Sequence, residues 1–238
     1  MTLNIGIENG AEGRTIAWML EHPGCYAYGV NDQEALSGIG TAIQEYNDWL
    51  TRHGQVAWTI PDDQGVYIEE TWDVYSIDSD YELVSEGYEI NAWFRHDWKP
   101  LRSIDVERAI KLLAMSREDL LSTVNGLDQE LMDTIYPGER WSITGILMHV
   151  GGAEWWYLDR LGLAFDREEV PAEPFERLAR MREILIKTLP ELEASTQVAG
   201  IDGQFWSPRK VLRRALWHER DHTTHINKLL DPETVESG

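Results

Sequence analysis

The stretch Trp217-His218-Glu219-Arg220-Asp221-His222-Thr223-Thr224-His225-Ile226 decides how this chain is read. It lies in a segment that opens with Ser207-Pro208 and runs to about Leu230, before Asp231-Pro232. Serine as the cap and proline at the first helical position predict a helix over that span. Histidines four apart on a helix stand one turn apart on one face, so His218 and His222 offer two imidazoles to one ion. His225 lies near that face a further turn along. Glu219 and Asp221 point about 100° away from one histidine or the other. Glu219 is the acid/base candidate, and Asp221 a group that would support the ligands from behind.

Working back from this helix, three more carry apolar residues at helical spacing. One runs from about Ser103 to Thr123, with Ile104, Ala109, Ile110, Leu113, Leu120 and Leu121 on its stripe. A second starts at Ser142, a capping residue, and continues to about Leu161. A third spans about Pro174 to Ala194 and is interrupted near Pro190. Four such helices with moderate loops predict an up-down four-helix bundle over 100–238, a fold that builds metal sites in its core. The second helix holds His149 beside Gly145, Gly152 and Ala153, small residues that leave room for close packing or a substrate.

This half resembles the DinB/YfiT-like superfamily of metal-binding four-helix bundles. The resemblance is carried by Trp141-Ser142-Ile143-Thr144-Gly145-Ile146-Leu147-Met148-His149 and by the histidine-rich stretch above, and spans about 130 residues. In that family a Trp-Ser step opens the second helix, its histidine follows about seven residues on, and two histidines four apart come from the last helix. The resemblance implies a divalent metal, zinc or nickel before iron or manganese, held by His149, His218 and His222. His225 matches a further histidine of YfiT-like members and would stand behind the ligands. A homodimer is also implied.

Three histidines leave coordination positions open, and two chemistries are then available: hydrolysis by an activated water, or attack by a metal-bound small-molecule thiol. Relatives that are thiol-dependent transferases rank thiol transfer first. The expectation is a metal-dependent S-transferase or hydrolase acting on a small molecule, with a low-molecular-weight thiol as partner. The alternative is a non-enzymatic dimeric scaffold whose metal is structural or vestigial. Accessible histidines favour the enzyme and a sealed cluster favours the scaffold. His218-Glu219-Arg220-Asp221-His222 also satisfies the short zinc-protease pattern H-E-x-x-H. A protease leaves Trp141-Ser142 and His149 unexplained, whereas the bundle uses all three. Trp155, Trp156 and Trp217 are candidates for a pocket mouth, and Glu154 for a solvated charge.

Upstream of the Lys99-Pro100 step the texture changes to short strand-like runs between Gly and Asp turns. Thr15–Leu20 and Cys25–Tyr28 read as a hairpin about His22-Pro23-Gly24, and Asn31 or Asp32 caps an amphipathic helix. Val66–Ile68, Trp72–Tyr75 and Tyr88–Phe94 read as further strands. The expectation for 1–99 is a β-β-α-β-β module of the α+β class. Its stretch Glu21-His22-Pro23-Gly24-Cys25-Tyr26-Ala27-Tyr28-Gly29 and following helix resemble the HicB-like antitoxin fold over about 45 residues, implying a structural or partner-docking role. Trp93–Trp98, with His96 and Asp97, is expected as a lid.

Charge narrows the partners. The chain carries a formal net charge of −21, of which residues 1–100 hold −14. Such a field repels phosphate backbones and anionic lipid, which argues against nucleic acid and membrane partners. No apolar run reaches the roughly 20 residues a bilayer requires, and the first residues show no basic-then-apolar leader. The single cysteine, Cys25, allows no internal disulfide. The cytoplasm is therefore the expected compartment.

Overall fold

The structure is a computed structural model that describes residues 2–61 and 64–231. It divides into two compact units: Met1–Pro100 with Thr196–Arg213, and Leu101–Ser195 with Arg214–Gly238.

The first unit is built on a four-stranded sheet in the order β3-β2-β1-β4. Strand β1 (Thr2–Ala11) pairs antiparallel with β2 (Arg14–Met19), which pairs antiparallel with β3 (Tyr26–Gly29). Helices α1 (Asp32–Ser37) and α2 (Ile39–Arg52) follow, and β4 (Gly65–Asp73) returns parallel to β1. Asn31 caps α1, its side chain accepting from the Glu34 amide at 3.0 Å. Cys25 is buried.

The central strand β1 departs from the expected pattern, which began at Thr15. Leu3, Ile5 and Ile7 alternate as a strand should, but Gly6 and Glu8 on its other face disguise the period. Both have structural reasons. A Cβ on Gly6 would stand 2.7 Å from the buried Phe94 ring. Glu8 is fully buried and accepts from Trp18 Nε1 at 2.9 Å and from the Ala92 amide at 2.7 Å.

The expected strands Val66–Ile68 and Trp72–Tyr75 are regrouped as β4 and β5 (Tyr75–Ile77). Strands β6 (Leu83–Val84) and β7 (Tyr88–Ile90) flank β5 in a small sheet. The expected strand to Phe94 thus stops at Ile90. Beyond it, side chains replace the ladder: Glu8 takes the Ala92 amide, and Asp97 takes that of Phe94 at 3.0 Å.

Residues 196–213, expected in the bundle, group with this unit. Strands β8 (Ala199–Ile201) and β9 (Gln204–Trp206) form a hairpin that interrupts the helical half. Gln204 Nε2 donates to the Glu89 carbonyl and the Tyr88 hydroxyl, both at 3.0 Å. Arg213 pairs with Asp97 at 2.7 Å and lies over the rings of Trp18 and Phe94. Ser207 donates to the Asp97 carbonyl at 2.7 Å. The Trp93–Trp98 segment is therefore pinned within this unit.

The second unit holds α3 (Ser103–Val124), the short α4 (Gln129–Asp133), α5 (Ile143–Asp159), α6 (Pro174–Thr188) and most of α7 (Pro208–Leu229). Apart from α4, these are the four expected helices. Ser142 caps α5 by accepting from the Gly145 amide at 3.2 Å, and Glu173 caps α6 through the Glu176 amide at 2.7 Å. Such caps contribute about 1 kcal/mol each. At Pro190 the third helix gives way to the tight turn Leu189–Leu192. Leu120, Ile143, Ile146, Leu147, Val150, Leu178 and Ile226 form the apolar core at one level of the bundle. No helix among the described residues is long and apolar enough to cross a membrane.

His96 in the first unit generates a pH prediction. Burial, followed by the charges of Arg209 and Lys99, lowers its pKa from 6.5 to about 3. The folded state therefore stays unprotonated where the unfolded chain takes up a proton, and stability falls as pH drops from 6.5 towards 3. Between pH 6.5 and 5, where carboxylates titrate little, His96→Gln should flatten this decline in chemical denaturation. A slope equal to the wild type's would contradict it.

Candidate metal centre

Helix α5 carries His149 and α7 carries His218 and His222, one turn apart. In the second unit their rings meet. His149 Nε2 lies 2.9 Å from His218 Nε2, which lies 3.2 Å from His222 Nε2. Among the described residues this is the single group of three or more His, Cys, Asp or Glu side chains placed to hold an ion. The three nitrogens converge on one volume from two helices.

Each neutral imidazole has one ring nitrogen that donates and one that accepts. Three Nε2 atoms facing each other cannot all be satisfied by sharing protons, whereas three lone pairs facing a cation can. The spacing agrees: Zn–N distances of about 2.0–2.1 Å in a tetrahedral site separate ligand nitrogens by about 3.3 Å. His218 is held well below its usual pKa by burial first, then by the nearby His222 and His149 and by Arg214. The neutral form that ligates is thereby favoured. His218 is buried, while His149 and His222 are partly exposed.

Aromatic rings frame the trio. Trp141 stacks on His149 with centroids 4.5 Å apart and planes at 29°. Tyr157 meets His218 edge-on at 6.3 Å, and Trp217 lies 5.9 Å from it. Trp155 turns elsewhere and donates to the Phe165 carbonyl at 3.0 Å, and Trp156 lies beneath the Arg160 guanidinium. Of the three tryptophans expected at a pocket mouth, only Trp217 adjoins a ligand among these contacts. Two glycines of α5 serve close packing. A Cβ on Gly151 would stand 2.7 Å from Arg177 Cγ, and one on Gly145 would stand 3.0 Å from Trp141 Cβ.

The other candidates lie outside the trio. His225 pairs through Nε2 with Glu139 at 3.0 Å and is about a third exposed. Asp221 is partly buried and is not in the cluster. Glu219 is buried and directed into a set of charges that the sequence reading missed. Arg117 of α3 donates through Nε to Glu219 at 2.5 Å and through Nη2 to Glu154 at 3.0 Å. Arg182 of α6 donates through Nε to Glu154 at 2.8 Å and through Nη2 to Glu219 at 2.7 Å. Glu154, expected in solvent, is thus a core residue. Each arginine also reaches across to the other's helix: Arg117 donates to the Leu178 carbonyl and Arg182 to that of Leu113. All four side chains are at least nine-tenths buried. The arginine charges hold the Glu219 pKa below its usual value against burial, which acts to raise it.

A signal for these residues existed. Arg117 stands between Leu113 and Leu120, Arg182 between Leu178 and Leu185, and Glu154 between Val150 and Leu158. All lie at core spacings of three or four. Two positive and two negative charges on four apolar stripes are a pattern of mutual neutralisation.

Residues 112–226 match the family model of the DinB superfamily. That stretch contains the four charged residues and all three histidines. A crystal structure of TT2238, described as a four-helix bundle protein, is similar at 22% identity with a TM-score of 0.42, covering 51% of this chain and 98% of its own. No curated protein matches the chain. The family match does not extend over the first module, so its likeness to the HicB-like fold rests on the sequence stretch alone.

The charge set yields a stability prediction. Arg182→Met leaves two buried carboxylates sharing one guanidinium, and breaking such a set costs about 3–5 kcal/mol. Chemical denaturation should register that loss. A change below about 1 kcal/mol would contradict the closed arrangement.

Proposed function

We propose that the second unit binds one divalent metal ion through Nε2 of His149, His218 and His222, and that it is an enzyme acting on a small molecule at that ion. The observation that carries this reading is the convergence of three Nε2 atoms at 2.9 and 3.2 Å. When bound, the ion would supply a Lewis acid that lowers the pKa of a water or a thiol. Zinc or nickel is the ion proposed, and imidazole ligands suit both. The partial exposure of His149 and His222 favours an accessible position over a sealed structural site.

The chain's own residues supply the rest. Trp141 orients the His149 ring by stacking, and Trp141 and Tyr157 give the site an aromatic wall. Both oxygens of Glu219, and both of Glu154, already accept from guanidinium groups. A carboxylate so engaged is a weak base, so we assign Glu219 a structural part in place of the acid/base part that the sequence suggested. With both carboxylates so engaged, the proton of a bound thiol would be released to solvent. An ion held by the three histidines would supply the acidity for that release near neutral pH, which suits transfer from a thiol.

Elemental analysis of protein purified without a histidine tag should find about one zinc or nickel ion per chain, consistent with a single three-histidine site. The His149→Ala/His218→Ala variant should lose it. Addition of a small thiol to cobalt-loaded protein should produce a sulfur-to-cobalt charge-transfer band. A metal-free wild type after supplementation would refute the centre. A loaded protein with no such band would favour hydrolysis.

A further inference from the structure

The division of labour among the four long helices is regular. The two helices that supply metal ligands, α5 and α7, also supply the two carboxylates, Glu154 and Glu219. The two that supply no ligand, α3 and α6, supply the two guanidinium groups. Each guanidinium binds one carboxylate from each ligand-bearing helix.

We propose that Arg117 and Arg182 are positioning residues for the metal centre: by bridging Glu154 and Glu219 they set the spacing and rotation of α5 against α7, and so bring His149 onto His218 and His222. The inference rests on the metal reading above.

The geometry supports it in three ways. First, the charges lie close to the ligands along both helices. Glu219 follows His218 directly and precedes His222 by three residues, about 4.5 Å of helix rise. Glu154 follows His149 by five residues, about 7.5 Å. Fixing the direction of either carboxylate therefore fixes the direction of the neighbouring imidazoles. Second, Glu154 and Glu219 carry like charge on facing helices. Without the two cations between them, α5 and α7 would be driven apart where the ligands must meet within about 0.5 Å of a productive arrangement. Third, the side chains are arginines, whose planar forks bind two acceptors in set directions. Each fork also grips a backbone carbonyl on the opposite non-ligand helix, Arg117 at Leu178 and Arg182 at Leu113. A lysine would keep the charge and lose the bridging.

A purely structural role would register in the stability of the metal-free protein and leave its metal affinity alone, which separates the two possibilities. The test is titration of the full-length metal-free protein with Co2+, reading affinity and the visible ligand-field spectrum, with far-UV circular dichroism of the metal-free form alongside. For Arg182→Lys, the expected result is Co2+ affinity at least about tenfold weaker with an altered spectrum, at unchanged metal-free helix content, as for loss of groups that orient ligands. If that variant fails to fold, Arg117→Met/Glu154→Met/Arg182→Met/Glu219→Met takes its place, since it leaves no charge unpaired in the core. The same weakening is expected of it. Wild-type affinity and spectrum in a folded variant would overturn the positioning role. Failure of the wild type itself to bind Co2+ would instead overturn the metal reading beneath it.

Discussion

Four charges closed on themselves in the core of the second unit constrain everything around them. Each ion taken from water costs several kcal/mol, and only complete pairing recovers it. Arg117, Glu154, Arg182 and Glu219 achieve that completeness because four helices each contribute one member, with every carboxylate oxygen engaged. No helix can turn or slide without leaving a charge exposed to an apolar surrounding. Apolar packing of Leu120, Ile146, Leu147 and Ile226 supplies cohesion but tolerates repacking. The charges tolerate less, because removing one partner leaves another buried and unpaired.

The three histidines converge from the same two helices that carry Glu154 and Glu219. Imidazoles add no further anion near those carboxylates, and burial favours the neutral form of His218. Glu154 and Glu219, both close to the histidines in sequence, are spent on arginines. On the proposed reading the core separates two tasks: charged groups hold the helices, and imidazoles hold the ion. The first unit repeats the device on a smaller scale, with Arg213 and Asp97 pinning the segment that follows β7.

Much of this was legible in the sequence. The four long helices followed from apolar spacing and from Ser142, Pro174 and Pro208 at their starts, and His149, His218 and His222 followed from spacing together with the Trp141-Ser142 resemblance. Three things were not legible, for physical reasons. Strand β1 was hidden because Gly6 and Glu8 occupy its second buried face, and their partners, Phe94, Trp18 and Ala92, are distant in sequence. The return of residues 196–213 to the first unit depends on pairings such as Gln204 with Glu89 that leave no local mark. The roles of Glu154 and Glu219 were missed because a charge on a helix is ordinarily solvated, and only the positions of Arg117 and Arg182 on apolar stripes show otherwise.

Three imidazole nitrogens sharing one ion are what the proposed site requires. X-ray absorption at the metal edge of zinc-loaded full-length protein tests that most directly. The expected result is about three imidazoles at about 2.0–2.1 Å with the remaining coordination made by a light, non-protein atom. A first shell containing sulfur from the protein, or one lacking the outer-shell scattering of histidine rings, would contradict it.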